Sequence, residues 1–393
     1  MPSTDRLVVV GSSLAGVRSV EAARRAGFTG VVSLIGAEKH YPPLNRPPLS
    51  KQFLKDCETP GEVLRVDPDL DIELLLGREA TALDLGTRAV TLDDGTTVGY
   101  DGLVVATGAS VRRLPGTEGR RNVHVLRKFE DASALRSALT PGVRVAVIGA
   151  GVLGCEIAAT CRQLGLDVTM IDAFSQPMLR IVGPAIAPQL AELHRERGVR
   201  LLLGRKVLGL RGLDIADAVL LDGDDVVEAE VIVVAIGASP ETSWLDGSGL
   251  ELADGVVCDS ECFAINGNRR VVAAGDVARW HHPLFGATIR VEHWTNAVSQ
   301  AQQAGRNLVA ELTGSGEQAP YQVLPYFWTD QYDWKIQFVG MLGEEIEFEE
   351  GGPGDRQFVV SYRTNGQLMG ALFANLPSRL APLRKRITAE LTA

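Results

Sequence analysis

Leu7-Val8-Val9-Val10-Gly11-Ser12-Ser13-Leu14-Ala15-Gly16 and Val145-Ala146-Val147-Ile148-Gly149-Ala150-Gly151-Val152-Leu153-Gly154 are two copies of one pattern. Each has a continuous apolar run, a turn of small residues, and an alanine-rich stretch compatible with a helix. An unbroken apolar run of this kind is what a parallel strand, buried on both faces, requires. A glycine stands at the end of each helical stretch, Gly27 in the first and Gly165 in the second, where a left-handed residue lets the chain leave the last turn. A second apolar strand follows each, Val31 to Ile35 and Val168 to Ile171. The long-range repeat is therefore a pair of βαβ units. From Gly11 to Gly149 is too far for the two to be halves of one sheet, so they imply two dinucleotide-binding domains and two dinucleotides.

The rest of the chain agrees with a globular α/β protein. Its 393 residues suit about two to three domains. With 45% apolar residues, 22% charged residues and 42 glycines, the composition is that of a globular chain. A net charge of −10 repels a phosphate backbone, so nucleic acid is not an expected partner. Neither a signal-peptide pattern nor an apolar run of about 20 residues is present, and a cytoplasmic protein without a membrane role is expected. Cys57, Cys155, Cys161, Cys258 and Cys262 are an odd set with no CxxC spacing, which favours reduced thiols over a disulfide framework. His281, His282 and His293 have no carboxylate or thiolate completing a ligand set, and no metal is expected. From about Glu317 aromatic residues concentrate, and alternating pieces such as Phe358 to Tyr362 lead to a helix near Ala381, which reads as a third, α+β domain.

The glycine positions carry the chemistry. Such a fingerprint needs one glycine for the tight turn, one where the pyrophosphate approaches, and one where helix meets strand. In the first copy these are Gly11, Ser13 and Gly16, with Leu14 and Ala15 opening a helix whose N-terminus faces phosphate. Serine replaces the middle glycine and adds only a hydroxymethyl group. The acid that usually ends the following strand is displaced, because Gly36 and Ala37 occupy its place. Glu38 is the nearest candidate for a ribose contact, the alternative being a solvated loop carboxylate. The second copy, Gly149, Gly151 and Gly154 with Val152 and Leu153, is intact, and Asp172 stands directly after Met170-Ile171. An acid there accepts hydrogen bonds from ribose hydroxyls and repels a 2′-phosphate, which favours NADH over NADPH. Its other reading is a simple turn residue.

Leu103 to Ala109, Val233 to Ala238 and Ala273 to Asp276 resemble the strand-end motifs of flavoproteins that bind two dinucleotides. The resemblance places Thr107, Gly108, Ile236, Gly237 and Gly275 at the cofactors and Asp276 on the ribityl chain of FAD. A narrower likeness rests on Tyr41-Pro42-Pro43-Leu44-Asn45-Arg46-Pro47-Pro48-Leu49-Ser50-Lys51, Arg290-Val291-Glu292-His293-Trp294 and Tyr326-Phe327-Trp328-Thr329-Asp330-Gln331-Tyr332. Over nearly its whole length the chain resembles the NADH-dependent ferredoxin reductases of oxygenase systems, the putidaredoxin reductase-like branch of the FAD-dependent pyridine nucleotide oxidoreductases. That resemblance sets Arg46 and Lys51 against FAD, with Lys51 near N5, and Arg127 at the adenine side. Glu292, His293 and Trp294 fall at the isoalloxazine, and Ala80 and Arg180 complete the cofactor contacts. It makes Glu156 the neighbour of the nicotinamide, within reach of Lys51, and sets Trp328 between flavin and the docking surface. Lys51, Glu156 and Trp328 form its catalytic set.

The implied architecture is an FAD-binding domain of residues 1–112 and 240–316, an NAD-binding domain of 113–239, and a C-terminal α+β interface domain of 317–393. The implied function is transfer of hydride from NADH to FAD and of single electrons to a 2Fe-2S ferredoxin, and so indirectly to a haem-thiolate monooxygenase or ring-hydroxylating dioxygenase. A flavoprotein disulfide reductase of similar build carries two cysteines just after the first βαβ unit, where this chain has only Cys57, so no dithiol relay is expected there. An NADH oxidase acting on small molecules, a rubredoxin reductase and an apoptosis-inducing-factor-like module are the competing readings. Arg379, Arg384, Lys385 and Arg386, with Lys335 and Arg65, form either a basic face for an acidic ferredoxin or solvated surface.

Overall fold

The computed structural model describes residues 5–56 and 62–393, and Cys57 lies outside them. The chain forms two compact units, one of Met1–Asn45, Val63–Ser110 and Ser239–Tyr326, the other of Arg46–Glu62, Val111–Ala238 and Phe327–Ala393.

In the first unit a parallel five-stranded sheet runs in the order Val271–Ala273, Gly102–Val105, Arg6–Val10, Val31–Gly36, Glu73–Leu76. Leu7, Val8, Val9 and Val10 are all buried, as their unbroken apolar run implies for a central strand. The chain leaves this strand to one side through the helix Leu14–Arg25 and returns on the other, so Gly11 stands at a topological switch point. The long helix Trp294–Thr313 packs on Leu14–Arg25. Gly305 permits this approach, since a Cβ there would lie 2.7 Å from the Ser19 carbonyl oxygen.

The second unit repeats the plan with Arg200–Leu203, Asp167–Asp172, Arg144–Ile148, Val231–Val234 and Val123–His124, again all parallel. Gly27 and Gly165, at φ 90° and 80°, follow the last residues of the two matching helices in the left-handed conformation expected of them. The C-terminal part is a five-stranded sheet in the order Tyr326–Gln331, Trp334–Gly340, Gln367–Ala374, Phe358–Thr364, Glu345–Glu350, followed by the helix Leu380–Thr392. On one face of this sheet Trp334, Ile336, Phe338, Phe358, Val360 and Tyr362 share a buried cluster with Ile157, Cys161, Val182 and Leu190. Phe53 and Leu54, just after the Pro47–Ser50 turn of 3-10 helix, enter the same cluster.

Along Tyr326–Gln331 burial alternates strictly, so Phe327, Thr329 and Gln331 face inward and Trp328 the other way. Cys155, Cys161, Cys258 and Cys262 are buried free thiols. Among the described residues no helix is long and apolar enough to cross a membrane.

Candidate functional site

The two glycine turns are built alike because backbone crosses backbone at the same places. A Cβ on Gly11 would lie 2.0 Å from the Ala106 carbonyl oxygen, and one on Gly149 would lie 2.3 Å from that of Ala235. The third glycines, Gly16 and Gly154, would bring a Cβ within 1.8 and 1.9 Å of the Gly11 and Gly149 carbonyl oxygens. The middle position differs in kind. Gly151 (φ −75°, ψ −171°) has open space at its Cβ, and Ser13 has nearly the same extended backbone (φ −90°, ψ −158°). No left-handed conformation is demanded there, so serine costs no backbone strain.

Neither helix has an acidic residue in its first turn. The helix starts thus offer the N–H groups of a first turn and a favourable dipole end, which is what the pyrophosphate of FAD or NADH needs. Gly275, at φ 79°, brings the end of Val271–Ala273 against the first helix, since its Cβ would lie 3.0 Å from that of Ala15, and its N–H donates to Gln300 Oε1 at 2.9 Å. Asp276 follows, half-buried, and its carbonyl accepts from Arg290 at 3.1 Å.

Asp172 ends its strand with both carboxylate oxygens engaged: Oδ2 accepts the Ala150 N–H at 2.5 Å and Oδ1 that of Phe174 at 2.7 Å. Each oxygen keeps a lone pair for a hydroxyl. The turn role and a ligand role are therefore compatible. Arg205, which follows closely in space, is paired to Asp222 at 3.0 Å and Asp225 at 2.5 Å, while Arg180 lies over the Phe174 ring at 5.8 Å. In the first unit Gly36 is obligatory because a Cβ there would sit 1.9 Å from Ser12 Oγ. Glu38 is half-buried just past that strand, its carbonyl accepting from Gly77.

Thr107 Oγ1 donates to the Glu241 carbonyl at 2.7 Å, and Gly108 and Gly237 take φ values of 72° and 94°. Ile236 packs on the cluster around Ile148 and Ile232. Ala80 begins a strand packed on the core of the first unit. Arg127 is half-buried, its N–H donating to Asp131 at 3.0 Å. Arg46 precedes the Pro47–Ser50 turn. Exposed Glu292 pairs with Arg290 at 2.7 Å, His293 caps the helix starting at Trp294, and Trp294 Nε1 donates to Asn45 Oδ1 at 2.9 Å.

A buried polar cluster lies in the second unit. Lys51 and Glu156 form an ion pair at 2.8 Å with side chains only 10% and 6% exposed. Lys51 is placed by the Pro47–Ser50 turn and by Phe53, whose ring is buried beneath Arg136 at 4.0 Å. Glu156 lies on Val152–Gln163, the helix that the second glycine turn begins. Its Oε2 also accepts from Ser50 Oγ at 2.6 Å and its Oε1 from Thr329 Oγ1 at 2.7 Å. Trp328, the neighbour of Thr329 in the same strand, is half-buried on its opposite face.

Reading the sequence missed Ser50, Thr329 and Asn45 as partners of Glu156 and Trp294, although all three stand inside the quoted motifs. Strand alternation was the available signal for Thr329. Of the basic residues, Arg379, Arg386 and Lys335 are each paired with a carboxylate, Glu350, Glu349 and Asp330. These pairs favour the reading of Arg379, Arg386 and Lys335 as solvated surface.

Burial lowers the pKa of four histidines, His124, His194, His282 and His293, the second and last of them most, which should make the protein acid-sensitive. Burial pushes His194 and His293 down to about 4. When unfolded each titrates near ~6.5, so stability is complete above that value and drains as pH falls toward 4, by roughly 1.4 kcal/mol per pH unit and histidine. The melting temperature should therefore drop between pH 7 and 5, and His194→Asn should flatten the slope. Equal slopes for the two proteins would refute this account.

Residues 5–301 match the family described as pyridine nucleotide-disulphide oxidoreductase, and residues 326–393 match the reductase C-terminal domain. The ferredoxin–NAD(+) reductase component of the anthranilate 1,2-dioxygenase system of Burkholderia cepacia is 34% identical, over 98% of this chain and 95% of that protein. Putidaredoxin reductase of Pseudomonas putida is 30% identical, over 100% of this chain and 93% of its own. Among solved structures, the covalent putidaredoxin reductase–putidaredoxin complex superposes with a TM-score of 0.92 at 29% identity, covering 99% of this chain and 94% of that one.

Proposed function

Because the chain belongs to the pyridine nucleotide-disulphide oxidoreductases, in the branch of ferredoxin–NAD(+) reductases, we propose that it is an FAD-dependent reductase. It takes a hydride from NADH and passes single electrons to a 2Fe-2S ferredoxin that serves a monooxygenase or dioxygenase. In net terms one NADH reduces two ferredoxins and releases NAD+ and one proton. Bound FAD supplies the change of currency, accepting two electrons together and giving them up one at a time.

The observation that carries the reading is the buried ion pair between Lys51, which follows the Pro47–Ser50 turn, and Glu156, on the helix of the second glycine turn. A fixed ammonium there offsets the negative charge that reduction places on the flavin, and a carboxylate locked by Ser50 and Thr329 holds the ammonium in one orientation. Gly11, Ser13 and Gly16 receive the FAD pyrophosphate, and Gly149, Gly151 and Gly154 that of NADH. Asp172 takes the ribose hydroxyls and repels a 2′-phosphate, with Arg205 already neutralised by Asp222 and Asp225. In this reading residues 1–112 and 240–316 bind FAD, 113–239 bind NADH and 317–393 carry Trp328 toward the electron acceptor. The four buried free thiols fit a reducing compartment, and we place the protein in the cytoplasm.

The test is cytochrome c reduction by the FAD-loaded protein with NADH or NADPH, with and without a 2Fe-2S ferredoxin. We expect turnover to depend on ferredoxin and NADH to be preferred at least tenfold, about what one charge repulsion of ~1.4 kcal/mol supplies. Fast NADH consumption indifferent to ferredoxin would instead identify an oxidase.

A further inference from the structure

Glu156 is the end of a longer row of polar groups, all within the second unit. Thr329 Oγ1 donates to Glu156 Oε1 and accepts from Gln331 Nε2 at 3.3 Å. Gln331 Oε1 faces His194 Nε2 at 3.1 Å, and His194 Nδ1 faces the Tyr332 hydroxyl at 3.1 Å. Glu156, Thr329, Gln331 and His194 are all buried, and Thr329, Gln331 and His194 have no measurable exposure.

The donor and acceptor roles in this row admit one self-consistent assignment. A carboxylate only accepts, so the Thr329 hydroxyl must donate to it and can then accept only from the Gln331 amide. That amide therefore turns its carbonyl to His194, which must carry its proton on Nε2 and accept from Tyr332 at Nδ1. Every bond points toward Glu156. Burial pushes His194 down to about 4, which keeps the imidazole neutral near pH 7 and able to play both parts. The Gln331 amide also contacts Met178 Sδ at 3.3 Å, which fixes its nitrogen end on that side.

Neighbouring titratable and charged groups do not enter the row: Cys161 is buried with its thiol pushed up, and Arg162, which faces Tyr332, donates to the Arg197 carbonyl at 2.9 Å. Cys155, on the helix of Glu156, has its thiol pushed up by burial. Lys55 is pushed down by burial and feels Asp330 and Lys51. Arg197 lies over the Tyr332 ring at 5.3 Å and pairs with Asp333 at 2.6 Å.

We propose that Thr329, Gln331, His194 and Tyr332 are positioning residues, a one-way row of donors that locks the Glu156 carboxylate and, through it, the Lys51 ammonium. Bonds aligned in one sense in a dry interior reinforce one another, and breaking one leaves a buried neighbour unsatisfied. The inference rests on the reading of Lys51–Glu156 as the pair beside the flavin.

The experiment compares Thr329→Val, Thr329→Ser, Tyr332→Phe and Lys51→Met in the FAD-loaded protein, reading three quantities. These are the rate of flavin reduction by NADH in a single turnover, the flavin midpoint potential, and the His194 tautomer by nitrogen NMR. Thr329→Val should slow flavin reduction about tenfold, the worth of one buried hydrogen bond to a charged group, with KM for NADH little changed. It should also make the potential more negative, and Thr329→Ser should restore both. His194 should carry its proton on Nε2 in the wild type and lose that exclusive preference in Tyr332→Phe. Equal impairment of the valine and serine variants, or a proton on Nδ1 in the wild type, would overturn the row. If Lys51→Met changes rate and potential while Thr329→Val does not, the row alone falls. Indifference to Lys51→Met would remove the reading of the ion pair on which the row depends.

Discussion

Lys51→Met should slow reduction of the bound flavin by NADH about a hundredfold to a thousandfold, the usual cost of removing one preorganised charge or donor from a reacting centre. The ammonium is buried and held by three contacts: Glu156 at 2.8 Å, the Pro47 carbonyl at 3.3 Å, and the packing of the turn that bears it. Water cannot stand in for it without reorganising as charge develops. The same substitution should also destabilise the fold by roughly 3–5 kcal/mol, because it strands the Glu156 carboxylate in a site with little solvent. The two effects separate in the double variant Lys51→Met/Glu156→Gln, in which a neutral amide remains beside the Ser50 and Thr329 hydroxyls. With no charge left unpaired, that protein should regain most of its melting temperature and remain slow. Stopped-flow flavin bleaching and thermal melts read the two quantities, and a Lys51→Met rate within threefold of wild type would be incompatible with the proposed role.

The second large effect is expected at the glycines where helix meets strand. Gly16→Ala and Gly154→Ala put a methyl group 1.8 and 1.9 Å from a backbone carbonyl oxygen, with Val9 and Val147 side chains at 3.4 and 3.5 Å behind it. No flexible side chain can yield, so the helix must move off the strand. Such overpacking costs about 1–3 kcal/mol or more. For units of this size each kcal/mol lowers the melting temperature by roughly 2–4 °C. Displacing the helix also removes its N–H groups from the phosphates. Gly16→Ala should therefore purify largely without flavin, whereas Gly154→Ala should keep its flavin and show a KM for NADH raised about tenfold or more. Ser13→Gly is the control: the backbone there is already extended, so flavin content and melting temperature should stay near wild type. Normal flavin retention by Gly16→Ala would show that the first turn does not bind the pyrophosphate.

These variants also mark where the sequence could be read. The two βαβ units were legible because a strand buried on both faces leaves an unbroken apolar run, as in Leu7 to Val10 and Val145 to Ile148. Gly11, Gly16, Gly149 and Gly154 were legible because backbone meets backbone there, and only a missing Cβ satisfies both chains. Asp172 could be located because it ends a strand, whereas Lys51 and Trp328 were placed only by the likeness of their motifs to those of the ferredoxin reductases.

Beyond the reach of Lys51 to Glu156 that the resemblance implied, tertiary structure alone decided who faces whom. Lys51, Glu156 and Thr329 come from three distant segments, and their meeting depends on one buried cluster that draws Phe53, Ile157 and Phe338 together. His194 and Gln331 looked unremarkable in sequence because a hydrogen-bond row has no sequence period. Its direction appears only when every donor has found its acceptor. The same holds for Arg379, Arg386 and Lys335, a basic patch along the chain but ion pairs in space. Apolar periodicity and obligatory glycines are properties of a strand or a turn, and the chain alone determines them. Pairing of charges and hydrogen bonds across segments is a property of the packed interior, where desolvation forces each buried polar group to find its partner.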